Sequence, residues 1–285
     1  MSLRSKSKPS RWRKILKSEH YRAEAYLKKQ EPFCVAACSR FLRLEENSGH
    51  VWQLPGQQGE ISALLLHSRR GLFPIFNKNP RIPAPCFLSR FLGKVPIHAV
   101  QGLREDAELL ESLMQEQGYV AVDRIEYVLM SLDNAPRPVP AGPVGLKLRS
   151  PLPEDEESLF GLQSAYEREE VLPVNSTFNP ATSRLNLRQI LSREQVLVAE
   201  LDGQVVGKIN TSAQSFTRYQ VGGVYVRPDC RGRGIGAKMT AVFAQRLLEQ
   251  GRGITLFVKK RNAAACKAYC KAGFAVLADY RITYY

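Results

Sequence analysis

Long apolar runs are missing from this 285-residue chain. Nothing approaches the ~20 consecutive residues that a bilayer-spanning helix needs, so a membrane partner is not expected. Cysteine is sparse: the six are scattered, with neither metal-ligand spacing nor a disulfide framework. Cys266 and Cys270 stand four apart on an expected helix, and no metal is expected. Unpaired cysteines point to a reducing, cytoplasmic setting. Histidine is scarce as well. His98, inside Ile97-His98-Ala99-Val100, reads as a structural strand residue, and His20, His50 and His67 have no partner at a recognisable spacing. With no Cys/His pair, a covalent enzyme intermediate is not expected. The N-terminus is basic but no apolar segment follows, so it does not read as a secretory signal.

What is present is positive charge, unevenly placed. The formal net charge is +14. Residues 1–17 hold seven Lys/Arg and no acid, and residues 227–271 hold eleven against two acids, while the rest sums to −2. The tail is expected to be a solvated, disordered end, with nucleic-acid binding through it the less favoured use. The second basic region calls for an anionic ligand. The length suits two domains, and a 44% hydrophobic share lets each bury a core.

Taken in order, a helix is expected from Ser10 to about Gln30, then strand-like runs at Phe33–Ala37, Val51–Leu54, Ile61–Leu66 and Gly71–Phe76, with a hairpin across Ser68-Arg69-Arg70. Asn79–Pro85 interrupts regular structure. A strand at Val95–Gln101, a helix at Arg104–Gln117 and strand character over Tyr119–Leu132 complete a mixed α/β half. Ala135–Pro143 carries four prolines in nine residues and reads as the domain linker. The expected division is a tail at 1–17, a mixed α/β domain at 18–134, a linker at 135–143 and a second domain at 144–285. That second domain reads β-α-α-β-β-β-α-β-α-β, with a hairpin across Asp202-Gly203.

Its centre is the stretch Val221–Gly236: a strand, then a turn with Arg227, Arg231 and Arg233 among Gly232, Gly234 and Gly236, then a helix whose apolar residues Ile235, Met239, Val242, Phe243 and Leu247 recur three and four apart. Glycines let backbone N–H groups converge, the helix N-terminus adds partial positive charge, and arginines fork onto phosphate oxygens. The turn suits a pyrophosphate, but it lacks the Gly-x-x-x-x-Gly-Lys-Ser/Thr of a P-loop. Downstream, Asn262 is placed to cap a helix that carries Tyr269 nearly two turns on and closes at Gly273.

Together, Arg231-x-x-Gly234-x-Gly236 after a strand and Asn262-x-x-Ala265-x-x-x-Tyr269-x-x-x-Gly273-Phe274 resemble the two cofactor motifs of the GNAT superfamily of N-acetyltransferases, over about residues 144–285. The resemblance implies an α+β fold with a mostly antiparallel central sheet flanked by helices. It implies acetyl-CoA as cosubstrate and direct transfer of an acetyl group to a primary amine. The backbone of Gly223, Val224, Tyr225 and Val226 would pair with the pantetheine arm. The N–H groups of Arg231, Gly232, Arg233, Gly234, Ile235 and Gly236 would hold the pyrophosphate. Asn262 would contact the pantetheine region, and Tyr269 would be general acid to the departing thiolate. Free N–H groups at a strand irregularity could stabilise the developing oxyanion.

One expected part is missing. Many relatives place a glutamate base on the central strand, and Val221–Val226 has no carboxylate. Glu169 and Glu170 are the candidate bases, with Asp279 more remote; a solvated acidic helix end accounts for the two glutamates equally well. That gap supports an alternative, a non-catalytic CoA-binding sensor or scaffold. Tyr166, Phe178, Phe216, Tyr219 and Tyr280 are candidates for an acceptor pocket or for core. The first half, with a strand at Val95–Gln101 before a helix but no Arg-x-x-Gly-x-Gly turn, is a candidate for a decayed copy of the same fold that does not bind CoA.

Overall fold

In the computed structural model, which describes residues 11–46, 49–56, 60–77, 96–134, 138–173 and 176–285, the chain divides into two compact units. The first comprises Met1–Ile125 with Arg281–Tyr285, and the second Glu126–Tyr280. The expected interruption at Asn79–Pro85 and the first ten residues of the tail lie outside the described residues.

The first unit opens with the short strand β1 (Arg13–Lys14), then helices at His20–Gln30 and Val35–Leu42. Strands β2 (His50–Pro55), β3 (Ile61–Ser68) and β4 (Gly71–Phe76) follow, paired antiparallel in sequence, with β1 on the outer side of β2. The β3–β4 turn is the expected one. Arg69 and Arg70 both take positive φ, 49° and 66°, the geometry of a tight two-residue hairpin. Strand β5 (Ala99–Leu103) runs parallel to β4 over two residue pairs only, Gly71↔Ala99 and Leu72↔Val100. The helix Arg104–Gln115 then lays Ala107, Leu110 and Met114 against Trp52, Leu65, Leu72 and Val100. Their spacing of three and four is what makes that face continuous.

Phe33–Ala37, expected as a strand, is instead a turn leading into the helix Val35–Leu42. Val35, Cys38 and Phe41 fall three apart and are all buried, so the helical period wins over the β-branched and aromatic composition.

The second unit contains β7 (Lys147–Arg149), the helix Glu156–Tyr166 running into a single π turn at Glu167–Val171, the helix Pro180–Arg193, and strands β8 (Val196–Leu201), β9 (Gln204–Gln214) and β10 (Arg218–Val226). The helix Ile235–Leu248, β11 (Gly253–Lys259), the helix Ala263–Ala272 and β12 (Ala275–Tyr284) complete it, the last four residues of β12 belonging to the first unit. The β8–β9 turn has Asp202 at φ 51° and Gly203 at φ 74°. Pairing runs β11-β10-β9-β8-β7, antiparallel throughout except for β10 with β11. On one face Ile235, Met239, Phe243 and Leu247 pack on Ile209, Val221, Ile254 and Leu256. On the other, Leu159, Leu162 and Leu187 pack on Val198 and Tyr225. Each such fully buried aliphatic side chain contributes about 1.5–3 kcal/mol.

The units do not divide at the proline stretch. Strand β6 (Asp123–Leu132) crosses the division at Ile125, and its Tyr127–Leu132 segment pairs antiparallel with β11, inside the second unit. In return, Tyr285 N donates to His98 O and Val122 N to Tyr284 O within the first unit. Proline marks where regular structure stops, whereas strand pairing sets where contacts go.

Candidate functional site

The parallel pairing of β10 with β11 stops early. It covers Arg218–Val221 against Gly253–Leu256, and from Gly222 onward β10 has no partner in β11. On its other edge the register with β9 slips between Gly222 and Tyr225, which face Asn210 and Lys208. Three steps on β10 against two on β9 make a β-bulge at Gly223 and Val224. Gly223 is at φ +60°, and a Cβ there would lie 2.0 Å from Asn210 Oδ1 and 2.8 Å from Lys208 Nζ. Only glycine fits.

Beyond β10 the chain makes a short 3₁₀ turn at Pro228–Cys230, then passes through Gly232 at φ +77° and Gly234 at φ +80° into the helix Ile235–Leu248. Gly234 is the N-cap and provides no side chain to cap the helix. The helix's own ladder begins with Lys238 N on Gly234 O, so the preceding N–H groups of Ile235, Gly236 and Ala237 have no partner within it. Arg231, Gly232 and Arg233 are exposed beside them. Converging amides, a helix dipole and two guanidinium groups form an anion cradle.

Arg231 is not idle in that cradle. Its Nε donates to Val226 O at 2.9 Å and its Nη2 to Glu169 Oε2 at 2.8 Å, and its guanidinium lies 5.0 Å from the centre of the Tyr225 ring. Tyr225 Oη donates to the other oxygen, Glu169 Oε1, at 2.5 Å. The hydrogen bond from Tyr225, reinforced by Arg231, holds the Glu169 carboxyl below the usual carboxylate range. Burial and the same bond push the Tyr225 phenol up to about 12. Glu170, next on the π turn, faces differently. Its Oε2 is 3.2 Å from Lys259 Nζ, and its Oε1 accepts from Asn262 Nδ2 at 3.4 Å. The π turn thus sets Glu169 and Glu170 on two different motifs.

Asn262 caps its helix as its type and position required, Oδ1 accepting from Ala265 N at 3.0 Å. Gly273 closes the helix at φ 105°. Tyr269 is buried, its ring edge-on to Phe274 at 6.1 Å. Burial drives its phenol pKa well up, with Tyr166 and Glu170 adding in the same direction, so the hydroxyl keeps its proton at neutral pH.

Residues 160–274 match the acetyltransferase (GNAT) family. They form a GNAT-family domain. A curated relative, the mycothiol acetyltransferase of Cellulomonas flavigena, is 26% identical over 177 residues, 55% of this chain and 49% of its own length. An uncharacterised N-acetyltransferase of Archaeoglobus fulgidus is 36% identical over 89 residues, 28% of this chain and 60% of its own. The chain therefore spans about half the length of the curated relatives it matches. The solved structure of a tandem GNAT protein from the clavulanic acid biosynthesis pathway shares the fold over 96% of this chain and 98% of its own, with a TM-score of 0.61 at 12% identity.

Within the GNAT domain, the structure brings Glu169, Tyr225 and Arg231 into one cluster and Glu170, Lys259 and Asn262 into another. Asp279 stands elsewhere, 2.8 Å from Lys260 Nζ. The aromatic candidates disperse. Tyr219 Oη donates to Gln250 Oε1, Tyr280 stacks on Phe257 at 5.3 Å, and Phe178 lies under Arg168, whereas Tyr166 meets Tyr225 edge-on at 6.5 Å. Sequence reasoning missed Lys208 and Lys259. Lys208 is 1% exposed, in the strand run Val205–Asn210, and burial lowers its amine pKa to about 7, with Glu167 acting against that shift. A lysine and an asparagine at alternate positions of an otherwise apolar strand were the available signal.

Proposed function

We propose that the GNAT domain transfers an acetyl group from acetyl-CoA directly to a primary amine, of a small molecule or of a protein. One observation carries this reading: β10 parts from β11 after Val221, beside a glycine bulge and one turn before an uncapped helix N-terminus. A β edge with free donors suits the amide-bearing pantetheine arm, and the helix start suits a pyrophosphate. These residues fit the cosubstrate in both chemistry and order.

Acetyl-CoA, when bound, supplies the activated acyl group. The chain's part is to bind, orient and move protons. Backbone groups from Gly223 to Val226 hold the arm, and Asn262 Nδ2 offers a further donor. The amides from Gly232 to Gly236 hold the phosphates; the Arg231 amide, expected to join them, already donates to Pro228 O at 3.2 Å. Tyr269 Oη holds the proton for the leaving sulfur, and the raised pKa of its phenol keeps that proton in place. Of the two candidate bases, Glu169 is the poorer, since Tyr225 and Arg231 stabilise its charged form. Glu170, beside Asn262, is the better placed.

The test is acetyl-CoA with a panel of amines, read by mass spectrometry, on wild type and Tyr269→Phe. We expect acetylated product and a variant whose turnover falls about 10²-fold with CoA affinity nearly unchanged. An intact rate would remove Tyr269 from the mechanism. The absence of a carboxylate on Arg218–Val226 favours a second reading, a CoA-binding protein without catalysis. Thermal stabilisation by CoA with no acetylation across a broad panel would select it.

We also read the first unit as a copy of the same fold. Its described order, β1, two helices, three antiparallel strands, a parallel strand and a helix, matches that of the second unit apart from the helix Ile235–Leu248, whose place between β4 and β5 falls on residues 78–95, outside the described residues.

A further inference from the structure

Lys208 presents a physical puzzle. Its side chain is fully buried, and Glu167 acts on its charge without making an ion-pair contact among the described residues. Burying an amine without a contacting carboxylate is costly and persists only where its N–H groups are used. Nζ donates to Asn210 Oδ1 at 2.9 Å and to Gly223 O at 3.2 Å, with the Tyr166 ring centre 5.2 Å away. As an ammonium or as a free amine the head keeps N–H groups for both acceptors, so its role as donor does not depend on its charge.

The second acceptor is the carbonyl of the bulge itself. The peptide bond between Gly223 and Val224 is trans, so the Gly223 carbonyl and the Val224 N–H point in opposite directions across their shared plane. Lys208 arises from β9, on one side of β10, and β11 lies on the other. Val224 has no residue opposite it in either register. A head that fixes the Gly223 carbonyl toward β9 therefore turns the Val224 N–H toward the gap beside β11.

We propose that Lys208 is a positioning residue for acyl transfer: by holding the Gly223 carbonyl it aims the Val224 N–H at the carbonyl oxygen of the bound thioester. This rests on the acetyl-CoA reading above. A donor so fixed is worth most where charge develops, and removing one such donor typically costs 10²–10³-fold in turnover. Lys208 touches neither substrate nor sulfur in this scheme; it acts through one peptide plane.

The probe pair is acetyl-CoA and S-ethyl-CoA, alike in their two-carbon chain but differing in the carbonyl oxygen, each titrated calorimetrically into the full chain. Wild type should bind acetyl-CoA about 3–10-fold more tightly, the value of one net hydrogen bond. Lys208→Met, similar in volume and without a donor, should erase that preference while S-ethyl-CoA affinity stays within about twofold. Lys208→Gln, which retains an N–H donor, should restore part of the preference. A purely structural role for Lys208 would instead weaken both ligands together. Preference retained in Lys208→Met, no preference in wild type, or acetylation of Lys208 itself found by mass spectrometry would each overturn the proposal. Wild type that binds neither ligand would overturn the acetyl-CoA reading and this inference with it, whereas binding of both with an unaltered Lys208→Met would overturn this inference alone.

Discussion

Two strands occupy the same place in the element order of the two units, and they have opposite fates. Both β4 and β10 follow an antiparallel hairpin and run parallel to a later strand only briefly, over Gly71–Leu72 in one and Arg218–Val221 in the other. Past that point β4 closes its edge. Pro74 has no N–H, and Phe76 N donates to Asp106 Oδ2 at 3.0 Å. At the corresponding stretch β10 has Gly222, Gly223 and a bulge, with Val224 facing no partner. One unit satisfies its strand with its own carboxylate, and the other leaves Val224 without a strand partner. On the acetyl-CoA reading proposed above, a ligand would take that partner's place. The equivalence also corrects the alignment of the halves: by order, the counterpart of β10 is β4, and Ala99–Leu103 is the counterpart of β11.

The sharpest way to break this contrast is Gly223→Ala. Its Cβ would collide with Asn210 and force a non-glycine residue to φ +60°, so turnover and acetyl-CoA affinity should fall, turnover by about 10²-fold. Near-normal kinetics would show that the bulge is not part of the site. Asp106→Ala does the reverse in the first unit. It strands the Phe76 N–H and should cost about 1–3 kcal/mol in denaturant unfolding, with CoA binding unaltered.

A third measurement uses pH. Burial raises the Asp106 carboxyl to about 7, above its unfolded value near 4, so the folded state holds the proton more tightly. The stability this group contributes is therefore complete below about pH 4 and is lost as pH rises through about 7. Asp106→Asn, which still accepts from Phe76 N, should flatten that part of the stability profile. A profile identical to wild type would remove Asp106 as its source. The smallest effect is expected from Glu169→Gln, within about threefold in turnover, because that carboxylate is already occupied by Tyr225 and Arg231. A fall of 10²-fold would restore it as the base. Glu170→Gln should lower turnover more than Glu169→Gln does.

Much of the second unit was legible along the chain. The Asp202-Gly203 hairpin, the Asn262 cap and the Gly273 stop lie where residue type and spacing placed them, because each is decided within four or five residues. What the chain order hid was non-local. Phe33–Ala37 looked like a strand until the buried stripe of the helix Val35–Leu42 was counted, and nothing around the proline stretch announces that Tyr127–Leu132 pairs with a strand beyond it. Glu169 looked like a free carboxylate, since nothing in its neighbourhood along the chain announces Arg231, sixty-two residues away.

By itself the sequence determined the two motifs around Arg231–Gly236 and Asn262–Tyr269, the order of elements and the lack of a carboxylate on the central strand, all properties of residue type and short spacing. Only the tertiary structure decided that β10 parts from β11 at Val221, that a buried lysine from β9 grips the bulge, and that Asp106 seals the matching strand of the first unit. Those facts depend on contacts between residues 15 to 35 positions apart, and strand pairing at such distances is set by which partner each backbone group finds when the sheet assembles.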